Sequence, residues 1–221
     1  MKPYSVTILL TLLLATVIAS MGEDVSSSLT EEGGLVENLT VWLYAVLLVV
    51  LIFGVKVRMT LNRVLCPFVI LLLMLRELDF DKKFTEMGIF KSKFYKSADV
   101  PFMQKALAVV VIMIILVVVF MLLRQNWKGL LHGVGKRWRV ECGIAVALLL
   151  AGVSKLLLDG LPRKLEKVGI VANDFVLTHH GTFEEVLELA IPISLLLAVF
   201  YLRTQSERGQ HPSNGEDGAI P

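Results

Sequence analysis

Twelve uncharged residues, Val64 to Leu75, run directly into Arg76-Glu77-Leu78-Asp79-Phe80-Asp81-Lys82-Lys83-Phe84. No other junction constrains the chain as much. Crossing the hydrocarbon of a bilayer takes about 20 helical residues. A span built on this run therefore carries Arg76 and Glu77, with Asp79 close behind, to membrane depth. Charge at that depth is costly and turns towards a bundle interior or a wet cavity. Two further apolar runs fall short in the same way. Cys142 to Ser154, 13 residues, continues through Lys155 to Asp159, and Leu189 to Leu202, 14 residues, follows Glu184, Glu185 and Glu188. At 1.5 Å per residue, runs of this length cover roughly 18–21 Å of a core about 30 Å thick.

The rest of the chain makes spans the natural reading. Of 221 residues, 55% are hydrophobic and 19% charged, against about 25% charged in a soluble domain. The apolar excess is gathered into runs, which predicts an all-α polytopic transmembrane helical bundle of five to six spans. Lys and Arg are spread over connecting segments rather than collected into one basic stripe, so no nucleic-acid surface is expected and membrane lipids are the expected partners. Cys66 and Cys142 lie in apolar segments without a CxxC or metal-type spacing, and read as buried spacer thiols.

Residues 1–22 read as a signal peptide or as the first transmembrane helix. Residues 23–203 form the bundle, and 204–221, polar and rich in Gly, Ser and Pro, read as a disordered cytoplasmic tail. The Glu23–Glu37 loop holds no Lys or Arg, whereas Lys56, Arg58 and Arg63 form a basic turn and Arg124 to Arg139 carries five basic residues and no acid. Basic loops stay on the cytoplasmic side, so Glu23–Glu37 is expected outside. Residues 81–105 interleave lysines with Phe80, Phe84, Met87 and Phe94 on one helical face, the pattern of a helix lying in the interface. Leu161 to Phe183 reads as an outer loop.

In this topology the charged end of each short helix is its outer end. Glu77 and Asp79 then face Lys155 and Asp159, and Glu184, Glu185 and Glu188 complete the ring. Six carboxylates oppose two deep cations, Arg76 and Lys155, and uncompensated charge in low dielectric does not persist. The acids must be protonated, reach rim lysines or water, or hold a cation. One arrangement is a structural lattice such as Lys155–Asp159–Glu188. The other is an outer-leaflet pocket for a cation, a divalent one included, or for a cationic headgroup. Pro192 has no N–H to offer the Glu188 carbonyl, which adds an acceptor beside the acids. His180, just before the Glu cluster, adds an imidazole suited to a transition metal. An alternative is a metal-assisted hydrolase or transferase acting on lipid headgroups. Glu77, Asp159 and Glu188 would then be ligands, with Glu184 or His180 as general base. HExxH, P-loop and GxSxG patterns are absent.

Arg76-Glu77-Leu78-Asp79-Phe80, Gly88-Ile89-Phe90-Lys91, Ser154-Lys155…Leu158-Asp159-Gly160 and Glu184-Glu185-Val186-Leu187-Glu188-Leu189 together resemble a family of uncharacterised multi-pass bacterial inner-membrane proteins. The likeness covers roughly Glu37 to Tyr201. It implies a bacterial cytoplasmic membrane and carries no activity with it.

Overall fold

A computed structural model describes residues 2–30, 33–54, 60–85, 88–131 and 138–208. Among them the chain is all-α. In order, α1 spans Lys2–Ser20, α2 Glu23–Thr30, α3 Leu35–Val49, α4 Thr60–Glu77, α5 Ser92–Lys96, α6 Phe102–Leu131, α7 Trp138–Gly152, α8 Leu161–Lys167 and α9 Asp174–Arg208. π turns extend α3 over Val50–Gly54 and α7 over Val153–Leu158. Among the described residues, five helices are long and apolar enough to cross a membrane: α1, the helix ending at Gly54, α6, α7 with its π turn, and α9. The protein is a multi-pass helical membrane protein. α4, with 18 residues including Arg63, Arg76 and Glu77, is shorter and more charged than these five and packs on α3.

The bundle is built round α9. Half of its apolar window is buried, far more than in any other span, and it packs on α1, α3, α7 and the second π turn. The main core joins Tyr44 and Leu47 of α3, Ile70 of α4, Ala147 and Leu150 of α7, and Leu187, Ala190 and Ile191 of α9. A second core sets Ala15 and Ile18 of α1 and Val36 of α3 against Val186 and Leu189. Small residues let backbones approach where lipid supplies no hydrophobic drive between helices. Gly143 shows this: a Cβ there would stand 2.6 Å from the Tyr4 hydroxyl and 2.7 Å from Ala198 Cβ. The Tyr4 hydroxyl is then free to reach across and donate to the Arg139 carbonyl at 2.6 Å.

α6 is the least buried span. Its main neighbour is α4, and a carboxamide pair, Asn62 Nδ2 to Asn126 Oδ1 at 3.1 Å, links the two at one end.

Three expectations change. Residues 81–105 do not form one interfacial helix. Asp79 takes a left-handed conformation (φ 45°) that stops α4, a 3₁₀ turn covers Phe80–Lys83, and the Asp81 carboxylate accepts the Ile89 N–H at 2.9 Å, closing a compact loop. The aromatic positions therefore split: Phe94 is fully buried with Ile89, Val100 and Ala108, while Phe84 is exposed. The outer loop is also mostly helix. α8 occupies Leu161–Lys167, and α9 starts at Asp174 because Asn173 Oδ1 caps it by accepting the Val176 N–H at 3.0 Å. Finally, α6 and α7 extend into the basic Arg124–Arg139 segment, and α9 continues to Arg208. Lys56, Arg58, Met87, residues 132–137 and the tail from 209 onward lie outside the described residues.

Candidate functional site

Three chain segments bring charge to one place. α4 ends at Arg76-Glu77, the π turn of α7 carries Ser154 and Lys155, and the first half of α9 carries Glu184, Glu185 and Glu188. Glu188, almost wholly buried, is the hub. Its Oε2 accepts from Arg76 Nη2 at 2.8 Å. Its Oε1 takes the Ser154 hydroxyl at 2.6 Å and Lys155 Nζ at 2.6 Å. Lys155 Nζ also reaches Glu184 Oε1 at 2.8 Å, and Arg76 Nη2 stands 3.4 Å from Glu77 Oε1. Glu77 is buried too. Each buried charge thus meets an opposite one, the condition for charge to persist in low dielectric.

The π turn explains which residue of α7 joins the hub. In an ordinary helix Lys155 and Asp159 share a face at i, i+4. Here the Asp159 N–H bonds to the Ser154 carbonyl at 2.9 Å, five residues back. That wider turn breaks the shared face. Lys155 turns to α9, Ser154 is fully buried against Glu188, and Asp159 is left exposed. The Lys155–Asp159–Glu188 lattice is therefore replaced by Lys155 with Glu184 and Glu188.

A cavity of about 540 Å³ opens beside the hub. Its walls hold Arg76, Glu77, Asp79, Lys155, Asp159, Glu184, Glu185 and Glu188, together with Glu37 of α3 and Asp81, Lys82, Gly88, Phe90 and Lys91 of the loop. Eight carboxylates face four cations there. Several carboxylates already have partners: Asp79 pairs with Lys82, Asp81 holds the Ile89 N–H, and Glu37 accepts the Gly33 N–H. Glu185 is half-buried and has no hydrogen bond or ion pair among the described residues.

His180 is not among the cavity-lining residues. Its Nδ1 lies 3.0 Å from the Val176 carbonyl of its own helix. Among the described residues no group of three or more His, Cys, Asp or Glu side chains converges as a metal site would require. The carboxylates instead lie spread around the cavity.

Ser154 at the hub and Glu37, Asp81 and Lys91 in the cavity walls are not among the site residues expected from the sequence. Ser154 had a signal: a hydroxyl inside an apolar run seeks a partner across helices. Glu37, Asp81 and Lys91 stand in stretches the sequence singles out, but only the loop fold and the seating of α3 bring them to the cavity.

Comparison with protein-family models, curated proteins and solved structures returns no match.

Proposed function

We propose that this protein binds a cationic group, a small organic ammonium in particular, in the carboxylate-rich cavity at the ends of α4 and the α7 π turn. One observation carries the reading: Glu185 lines the cavity half-buried without a cation of its own. Arg76 and Lys155 are already engaged with Glu188, Glu77 and Glu184. An incoming ammonium would supply the missing positive charge and three hydrogen-bond donors. The volume suits a headgroup-sized ligand, and the spread of the acids suits it better than a divalent ion. The basic Arg124–Arg139 segment and the acidic Glu23–Glu37 stretch support an outer-leaflet cavity under the positive-inside rule. The motif resemblance supports a bacterial cytoplasmic membrane as its location.

Thermal unfolding of the detergent-purified protein with added ethanolamine tests this. A ligand at a hundred times its Kd stabilises the folded state by about 2.7 kcal/mol. Stabilisation of the wild type is expected, and its loss in Glu185→Gln. Equal stabilisation of both would overturn the site, as would none in either.

A further inference from the structure

A second cavity of about 540 Å³ lies beside the charged one. Its walls are apolar, contributed by α4 through Val69, Leu72 and Leu73 and by α6 through Leu107, Val111 and Val119. Arg76, Asp81 and Phe90 border both cavities, so the two meet at a common wall. The groove runs from Gln104 to Val119 along α6, about 22 Å at 1.5 Å per residue. One leaflet offers about 15 Å of hydrocarbon, half of a core about 30 Å thick. Beyond the groove, the Asn62–Asn126 pair ties α4 to α6. Gln104, at the groove's loop end, keeps its carboxamide oxygen buried without a hydrogen-bond partner, an open acceptor between the apolar walls and the charged ones.

We propose that the joined cavities hold one amphiphile, a membrane phospholipid with an ammonium headgroup. Its acyl chain lies in the α4–α6 groove, its phosphate sits at the common wall, and its ammonium enters the charged cavity. This rests on the cation-binding reading above and names the ligand class. Charge order along the cavities supports the commitment. Glu185 and the Glu188 hub lie on the α9 side, where an ammonium is favoured. Arg76 lies on the common wall and Lys91 follows the shared Phe90 in the loop. Lys91 is exposed and has no ion pair among the described residues, so it is available to a phosphate. A purely soluble amine would have no use for the groove. A phosphatidylglycerol headgroup would meet eight carboxylates with hydroxyl donors but no positive charge.

The test is native mass spectrometry of the full-length protein, delipidated and offered phosphatidylethanolamine or phosphatidylglycerol with the same chains. Leu107→Trp and Val119→Trp fill the groove from either end. Both positions are already exposed, so the fold survives the change and each variant checks the other. Phosphatidylethanolamine is expected to be retained about tenfold better than phosphatidylglycerol, the worth of a charge-assisted hydrogen bond. Both groove variants should lose that retention while ethanolamine still stabilises them. Equal retention of the two lipids would overturn the proposal, as would retention unchanged in both groove variants. Ethanolamine binding without lipid selectivity would sink only the amphiphile and leave the cation site standing. Loss of both would sink both.

Discussion

Glu188 holds three groups at once, which makes it the residue whose loss should be felt most. Glu188→Gln keeps the shape but removes the charge facing Arg76 and Lys155. Breaking a buried pair from one side costs about 3–5 kcal/mol. Arg76 and Lys155 side chains keep about a third of their exposure, and solvent screening brings the expected loss to the lower end, about 3 kcal/mol. Thermal unfolding in detergent measures it, and a midpoint equal to wild type would show that the hub contributes nothing. At this scale the sequence was partly legible. Charges at the ends of three short apolar runs marked Arg76, Glu77, Lys155, Glu184, Glu185 and Glu188, and all six border one cavity. Helical spacing pairs Asp159 with Lys155, but the residues between them form a π turn. His180, expected within an outer loop, lies in α9, which Asn173 caps seven residues earlier.

Among the elements, α1 tests how far the bundle depends on its first helix. It buries Tyr4, Ala15 and Ile18, and its departure would leave Val186 and Leu189 of α9 without that side of their core. Deleting residues 2–20 is expected to give protein that fails to run as a single species in gel filtration, with recovery when a peptide of residues 1–22 is co-expressed. A truncated protein with an unchanged profile and melting midpoint would count against that role. Helix existence was legible from apolar runs, since length and hydropathy alone separate spans from links. Helix boundaries were not. α9 begins nine residues before Phe183, because polar residues such as Thr182 are satisfied by tertiary contacts; its hydroxyl lies 2.9 Å from that of Ser26. The 81–105 segment misled for a related reason: aromatic spacing suggested one face, but a side-chain acceptor at Asp81 and a left-handed Asp79 offered the backbone a tighter alternative.

For the molecule as a whole, sidedness is the property that gives the cavity its leaflet. Single cysteines at Ser28 and Lys128 in a background lacking Cys66 and Cys142 should react with a membrane-impermeant thiol reagent from opposite sides, Ser28 from outside. Labelling of Lys128→Cys in intact cells would reverse the orientation and move the cavity to the other leaflet. The central place of α9 also bears on how the protein is made. It is the last helix among the described residues, and synthesis releases chains from the N-terminus. Arg76 and Lys155 therefore reach the membrane before Glu188 exists to receive them. Until α9 arrives Lys155 lacks Glu184 and Glu188, and Arg76 has only its neighbour Glu77, so the hub is completed late in assembly. Chains stalled before that step would present the polar signature that membrane quality control removes.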